Sequence, residues 1–239
     1  MQREAQKRIR FSMGIRKGVI IISRSILIIG ESGAGKTTSC RTLDPKTTFY
    51  IDCDKKGLSF RGWKKMYNQE SKNYYATSDA NTIFNFLQKL NKNGESKIKT
   101  VVIDTLNAIM LEDEFKRMKE KGYDKWQDLA ASIYYLIDYI NTMREDLTII
   151  CIAHAQTERD ESGFSFTRMK TSGKKLEKIV VESKFTTVLL AKPLDGEYIF
   201  ETKANQSTAK TPMDCFTSPT IPNDMAAVIK ALDDYEKGE

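Results

Sequence analysis

A glycine-rich segment behind an apolar run constrains the fold of this chain more than any other feature. Residues 30–37 read G-E-S-G-A-G-K-T, a full match to the pattern G-x-x-x-x-G-K-[ST]. The segment follows an apolar run at residues 25–29 and precedes a helical pattern at residues 35–43. A strand, a tight turn and a helix in that order are the structure that this motif requires. The chain therefore needs a strand end and a helix start that meet at this turn.

This turn has the chemistry of a phosphate site. Glycines permit backbone conformations that turn successive N–H groups inward, and a helix start adds partial positive charge. Lys36 is expected to reach the β- and γ-phosphates of ATP, and the Thr37 hydroxyl to ligate Mg²⁺. The expected nucleotide-contacting residues are Gly30, Glu31, Ser32, Gly33, Ala34, Gly35, Lys36, Thr37 and Thr38.

Elsewhere, short β-branched runs alternate with longer helical patterns. The early strands are almost wholly apolar, which is typical of a parallel sheet covered by helices on both faces. The sequence therefore predicts a three-layer α/β domain with a mainly parallel sheet at residues 18–239, after a basic arm at residues 1–17 in which Met13 is an alternative start. Strands are predicted at residues 25–29, 47–52, 100–104, 147–153, 186–191 and 198–202, and helices at residues 35–43, 80–91, 107–121, 125–144, 174–183 and 223–235.

Composition narrows the compartment and the partners. The chain has 239 residues, of which 40% are hydrophobic and 29% charged, and this suits a single globular domain. A net charge of +6 is compatible with a polyanionic partner. Four scattered cysteines and one histidine exclude a Cys/His zinc site and indicate reduced thiols in a cytoplasm. The apolar run at residues 18–30 is interrupted by Arg24 and too short to span a bilayer, so we expect neither a membrane partner nor export.

Acidic side chains stand at the ends of two predicted strands. Asp104 ends the run T-V-V-I-D, where a Walker B carboxylate holds a water on the magnesium ion opposite Thr37. Asp52 and Asp54 end the strand at residues 47–52, and a carboxylate there can orient and deprotonate the attacking water. Asp54 is the favoured base and Asp52 the alternative, and one of the two is expected to hydrogen-bond the turn instead.

The single histidine ends another apolar strand. His154 follows L-T-I-I-C-I-A and precedes a long polar loop at residues 155–173. It is expected to contact the γ-phosphate and to report its loss to that loop, with Gln156 as the fallback. A structural role for this histidine is the alternative. The expected catalytic set is therefore Lys36, Asp54 and His154.

The sequence does not favour two other classes of phosphate-loop protein, the GTPases and the small-molecule kinases. A GTPase needs the base-reading motif N-K-x-D, which is absent, and the D-K-K-G at residues 54–57 is too loose a match to count. A small-molecule kinase is expected to carry an arginine-rich lid, but Arg159 and Arg168 are the only arginines after Arg144.

The order of these elements resembles the RecA-like ATPase core. The resemblance spans about residues 26–235 and rests on the segments GESGAGKTT, YIDCD, VVIDT, IAHAQ and TSGKKLEKIVVESKFTTVLLA. More narrowly, the chain is similar to compact phage nucleotide-binding proteins, among them the single-strand-annealing ATPases of phage recombination, which would place it in the host cytoplasm. Asp54 stands where the family usually has Glu and His154 where it usually has Gln, which implies slow or differently gated hydrolysis.

The resemblance also implies single-stranded DNA as a partner. In RecA-like proteins the loop after the sensor strand contacts single-stranded DNA, because cations neutralise phosphates and aromatic rings stack on bases. The alternative is a β-hairpin whose phenylalanines pack onto the domain. The expected DNA-contacting residues in this loop are Arg159, Phe164, Phe166, Arg168 and Lys170.

Finally, the resemblance implies a ring or filament of identical subunits. RecA-like subunits bind ATP between neighbours, and Lys203 or Lys210 would be the basic side chain donated to the adjacent site. A single-strand-binding protein would be a compatible partner. The leading prediction is a DNA-stimulated ATPase that promotes annealing or recombination in phage DNA metabolism. The alternatives are an ATP-dependent protein-assembly switch that does not bind nucleic acid, and a small-molecule kinase.

Overall fold

The computed structural model describes residues 22–120, 124–159, 161–171 and 180–238. The predicted basic arm, Met13 and most of the helix predicted at residues 174–183 lie outside these ranges. The strands are β1 (Arg24–Gly30), β2 (Thr48–Asp52), β3 (Tyr74–Ala76), β4 (Thr100–Asp104), β5 (Thr148–Arg159), β6 (Ser165–Met169), β7 (Thr187–Leu194), β8 (Glu197–Glu201) and β9 (Thr220–Pro222). The α-helices are α1 (Lys36–Ser39), α2 (Trp63–Met66), α3 (Ala80–Lys92), α4 (Leu106–Lys116), α5 (Asp124–Ile140) and α6 (Met225–Lys237), and 3₁₀ turns cover Cys40–Thr42 and Val181–Lys184.

The strands within the described ranges form one sheet in the order β3-β2-β4-β5-β1-β7-β8-β9, with β6 paired to β5. The strands from β3 to β7 in this order are parallel, and β8 and β6 run antiparallel to their partners. The register pairs Asp52 with Asp104 and Gly30 with His154. All four residues therefore meet at one edge, where the carboxyl ends of the parallel strands come together.

Apolar side chains of the central strands pack on both faces of this sheet. On one face, Leu27 and Ile29 belong to a cluster with buried residues of α3, α4 and α5. On the other, Ile26 and Ile28 belong to a cluster with buried residues of α6. Alternating side chains of one strand thus serve two cores, as expected for a buried parallel sheet. The predicted three-layer α/β fold with a mainly parallel sheet is confirmed.

The prediction of a loop at residues 155–173 is wrong for residues 155–169, which contain the end of β5 and all of β6. β5 continues past the predicted strand to Arg159, and β6 returns beside it as the second strand of a hairpin. The segment F-S-F-T alternates apolar and polar residues, Met169 on the other face is buried, and Gly163 takes the positive φ of 85° that its turn requires. The hairpin of the alternative is therefore present, although Phe164 remains 49% exposed.

The helix predicted at residues 35–43 is also shorter than expected. Only Lys36–Ser39 is α-helical, and a 3₁₀ turn follows it. In the described part of the chain, no helix is both long enough and apolar enough to cross a bilayer.

Candidate active site

The phosphate loop joins the end of β1 to α1. Gly33 and Gly35 have φ angles of 81° and 87°, values that side-chain-bearing residues rarely adopt. Gly30 is required for another reason, because a Cβ there would lie 2.6 Å from the carbonyl oxygen of Ala191 in β7. Since α1 is a single turn, the charge of a phosphate group has to be met mainly by the loop N–H groups and Lys36.

Lys36 folds back over this loop. Its Nζ donates to the carbonyl oxygens of Gly30 at 2.9 Å and Glu31 at 2.7 Å, and the side chain is only 7% exposed. Burial lowers the pKa of the Lys36 ammonium, while the negative charge of Asp104 acts in the opposite direction. The ammonium group therefore has two carbonyl partners in the loop, which negatively charged phosphate oxygens can replace.

Thr37 and Asp104 meet as predicted for a magnesium site. Asp104 Oδ2 accepts from the Thr37 hydroxyl at 2.7 Å and from the Tyr50 hydroxyl at 2.7 Å. Asp104 Oδ1 is buried and has no hydrogen-bond partner among the described residues. Burial raises the pKa of the Asp104 carboxyl, and the bonds from Thr37 and Tyr50 act against this shift. An unpartnered carboxylate oxygen beside a hydroxyl suits a hard cation, so the residues present fit Mg²⁺.

The protein residues here would supply only some of the ligands of the cation, and phosphate oxygens and water would supply the rest. Within the described ranges, no three His, Cys, Asp or Glu side chains are grouped so as to hold a metal ion by themselves. Magnesium in nucleotide sites takes one or two protein ligands plus phosphate oxygens, which is the donor set available here.

The two candidate bases have different surroundings. Asp52 is buried, and its Oδ2 accepts from the Gly57 N–H at 2.7 Å and from the Tyr74 hydroxyl at 2.7 Å. Asp54 pairs with the Lys56 ammonium at 2.6 Å and accepts weakly from the Thr105 hydroxyl at 3.3 Å. Asp52 thus holds the turn after β2. Asp54 has the more exposed carboxylate, beside the residue that follows Asp104.

His154 lies next to the phosphate loop, opposite Gly30 in the paired strands. Burial lowers the pKa of its imidazole, and the positive charge of Lys36 lowers it further, while Asp54 acts in the opposite direction. The ring is therefore neutral at physiological pH and lies within the electrostatic reach of the predicted nucleotide pocket.

Asn107, in the first turn of α4, ties this region together. Its Oδ1 accepts from the His154 N–H at 2.7 Å, and its Nδ2 donates to the Lys170 carbonyl at 2.8 Å. The Lys170 N–H in turn donates to the His154 carbonyl at 2.7 Å. Sequence reasoning missed Asn107 because nothing in its spacing distinguishes it from an ordinary residue near a helix start.

One face of the β5–β6 hairpin is continuous with His154. Opposite residues of an antiparallel pair share a face, so buried Met169 lies with Ala155 on the other face, which also carries exposed Thr157 and Arg159. The face of His154 carries exposed Glu158 and Lys170 and half-buried Gln156, Phe166 and Arg168.

The five residues predicted to contact DNA are only partly brought together. Arg159 lies on the opposite face by strand alternation, and its Nε donates to the Gly163 carbonyl at 3.3 Å. Arg168 lies 3.8 Å from the Glu158 carboxylate. Phe164 is 49% exposed near the tip of the hairpin. Phe166, Arg168 and Lys170 are the members that share the face of His154.

The two lysines predicted to act on a neighbouring subunit follow β8. Lys203 is exposed, and Lys210 is half-buried. The backbone of Lys210 exchanges two hydrogen bonds with Val188 of β7, at 2.7 and 2.9 Å. Lys203 is therefore the more accessible of the two.

A phosphate loop, a buried Walker B carboxylate and a mainly parallel α/β sheet define a P-loop ATPase domain. The AAA_24 family of AAA domains matches residues 22–212, well over half of the chain. The chain belongs to this family. A search of curated protein sequences finds no match.

Solved structures with a similar fold include the RadB recombinase, with a TM-score of 0.45 and 14% identity over 77% of this chain and 81% of that one. The flagellar accessory protein FlaH from Methanocaldococcus jannaschii has a TM-score of 0.40 and 15% identity over 91% and 89%. The P4 protein from bacteriophage phi6, in complex with ADP, has a TM-score of 0.38 and 15% identity over 78% and 57%. Similarity at this level says nothing about what this chain binds.

Proposed function

We propose that this ATPase couples hydrolysis of ATP to binding of single-stranded DNA by the β5–β6 hairpin, and that it promotes annealing or recombination in phage DNA metabolism. One observation carries the proposal. Strand β5 bears His154 beside the phosphate loop and continues without a break into the hairpin face that holds Phe166, Arg168 and Lys170.

The proposed hydrolysis uses three side chains of the pocket. Lys36 neutralises charge on the γ-phosphate, and Asp54 orients the attacking water and accepts its proton. Magnesium, held by Thr37 and through Asp104, supplies further neutralisation of the phosphates when bound. Neutral His154 donates a hydrogen bond towards the γ-phosphate and loses this contact after hydrolysis. Asp54 is shorter than the usual Glu and already paired with Lys56, which supports slow turnover.

The proposed DNA contact rests on the chemistry of the hairpin. Exposed Phe164 and the half-buried ring of Phe166 offer stacking surfaces to bases, and Arg168 and Lys170 offer charge to the phosphates. The Glu158 carboxylate beside Arg168 reduces this charge, so the hairpin alone should bind weakly. Several subunits acting together would compensate, and this favours a ring or filament in which exposed Lys203 faces the neighbouring nucleotide.

A fluorescence-anisotropy titration of a labelled single-stranded oligonucleotide tests the DNA contact, with and without a nonhydrolysable ATP analogue at two salt concentrations. The double variant Arg168→Ala/Lys170→Ala should weaken binding and reduce its salt dependence. Lys89→Ala/Lys92→Ala on α3 removes the same charge from an exposed helix and is the matched control. Absence of binding by the wild type at low salt would overturn the DNA proposal and leave the ATPase class intact.

Product analysis separates the remaining alternatives. Release of inorganic phosphate that rises with single-stranded DNA supports the proposal. Transfer of phosphate to an added small acceptor would indicate a kinase. Phosphate release that is indifferent to DNA would favour the protein-assembly switch.

A further inference from the structure

An aromatic ring packs against the outside of the phosphate loop, where the hydrolysis described above does not use it. A Cβ placed on Gly35 would lie 2.9 Å from two ring atoms of Tyr198, so this ring rests on the backbone of Gly35. Tyr198 nevertheless remains 47% exposed. One side of the ring therefore contacts the loop, and part of it is open to solvent.

The surroundings of Tyr198 hold it in this position. It is the second residue of β8, paired with Pro193 of β7. Its carbonyl accepts from the Asn223 N–H at 3.3 Å. The backbone that carries the ring is thus held by a strand on one side and by the segment before α6 on the other.

Asn223 contributes an unusual polar group at the same place. Its side chain is 3% exposed, and neither Oδ1 nor Nδ2 has a hydrogen-bond partner among the described residues. Its carbonyl accepts from Arg41 Nη1 at 2.8 Å, and the same nitrogen donates to the Thr38 carbonyl at 3.0 Å. Through Arg41, the backbone of Asn223 is therefore joined to Thr38, the last residue of the phosphate loop, and its side-chain amide has an unused donor and an unused acceptor.

We propose that the base of the bound nucleotide stacks on Tyr198 and that the Asn223 amide reads its edge, with adenine as the preferred base. The inference rests on the proposed nucleotide site, because phosphates held by residues 30–37 leave the base beside Gly35 and Thr38. Stacking on an aromatic ring accepts any base. An asparagine amide pairs with a donor and an acceptor together, which the N6 and N7 edge of adenine offers and the O6 and N7 edge of guanine does not.

The buried state of the amide has a consequence for binding. A buried polar group without a partner destabilises the folded chain, and a base edge that supplies both partners removes that penalty. Because both amide atoms are covered, the base has to displace a neighbouring side chain to reach them. Nucleotide binding is therefore expected to change the surroundings of Asn223 as well as those of Tyr198.

Calorimetric titrations of the full chain with ATP, GTP and tripolyphosphate, all with Mg²⁺, test the stacking role. Tyr198→Ala should lose roughly 5- to 100-fold in ATP affinity, as expected for one stacked base, and keep its affinity for tripolyphosphate. Tyr198→Phe should retain ATP binding. Tyr235→Ala, which removes an exposed tyrosine from α6, is the matched control. Equal losses for ATP and tripolyphosphate, or no loss for either, would overturn the inference. Failure of the wild type to bind tripolyphosphate would instead contradict the phosphate site.

A second variant tests the reading of the base. Asn223→Leu removes the donor and the acceptor at similar volume and should bring the ratio of ATP to GTP affinity towards one, with tripolyphosphate binding unchanged. Because the amide has no partner to lose among the described residues, this variant should fold at least as stably as the wild type. An unchanged ATP to GTP ratio would show that Asn223 does not read the base.

Discussion

Asn107 binds the backbone of His154 and of Lys170 at the same time, through bonds of 2.7 and 2.8 Å. Asn107 lies three residues after Asp104, in the helix that follows the Walker B strand. One side chain thus joins the magnesium side of the pocket, the strand beside the phosphate loop and the exit of the hairpin. A structural change at the pocket, at the strand or at the hairpin exit would therefore alter the contacts of Asn107 with the other two.

Replacing Asn107 should loosen the hairpin exit without removing the phosphate loop. Asn107→Ala deletes both bonds, each worth about 1 kcal/mol, so amide exchange at the His154 end of the hairpin should accelerate roughly fivefold or more. Hydrogen exchange of residues 154–170 measures this. Asn107→Asp keeps an acceptor for the His154 N–H and loses the donor to the Lys170 carbonyl. The His154 amide should therefore stay protected from exchange, whereas the amides of β6 should exchange faster. Equal protection in all three proteins would contradict the coupling role.

Asp52 and Asp54 should respond in opposite ways to substitution. Asp54→Asn should lower the rate of ATP hydrolysis by roughly 10²- to 10⁴-fold and leave thermal stability almost unchanged, if Asp54 is the base. Asp52→Ala should cost about 1–3 kcal/mol of stability, because the Gly57 N–H and the Tyr74 hydroxyl lose their acceptor. Steady-state hydrolysis and thermal unfolding together separate the two roles. Loss of hydrolysis without loss of stability in Asp52→Ala would reverse the assignment.

Tyr50 should matter more than its place in an apolar strand suggests. Burial and the nearby Asp104 raise the pKa of the Tyr50 hydroxyl well above its usual value, so it remains a donor at all working pH values. Tyr50→Phe removes a bond to a buried carboxylate and should cost about 1.5–3 kcal/mol in denaturant unfolding. Tyr75→Phe, at an exposed position of β3, should cost almost nothing. Comparable stabilities for these two variants would count against the Asp104 contact.

The chain has one histidine, so His154 gives a single ring signal in NMR titration. Burial, followed by the charge of Lys36, lowers its pKa below 6.5, so the unfolded chain takes up this proton first. The contribution of His154 to stability should therefore fall as the pH drops from about 6.5 towards the folded-state pKa. Lys36→Ala should move the pKa upwards, and so should a bound ATP analogue, because its phosphates bring negative charge. A pKa above 6.5 in the free protein would contradict this environment.

The sequence predicted those parts of the site that are built from residues adjacent in the chain. The phosphate loop is a contiguous motif, and the strand ending at Asp104 was bounded correctly because its apolar run is unbroken. The hairpin was only an alternative to a loop in the sequence analysis, because polar residues dominate the segment, although the alternation around Phe166 was a usable signal. The strands β3 and β9 have three residues each, too few to show any periodicity.

The contacts that cross the fold could not be predicted in this way. Tyr50 looked like an ordinary core residue, because sequence does not show which buried hydroxyl faces a carboxylate. Asn107 and Tyr198 contact residues that are distant in the chain and brought close by the fold, and the burial of the Asn223 amide depends equally on the fold. Their residue types are common in helices, strands and turns, so no local pattern distinguishes them.

The unbroken run of β5 also restricts how this protein can change during evolution. From His154 to Arg159 the strand is a stiff arm of about 17 Å, at about 3.4 Å per residue. Adding two residues to β5 and two to β6 would lengthen the arm and keep every existing side chain on its present face. Adding one residue to each strand at the His154 end of the hairpin would exchange the two faces beyond the insertion and move Phe166 and Arg168 off the face of His154. Relatives whose hairpins differ in length at this end should therefore differ by even numbers of residues in each strand.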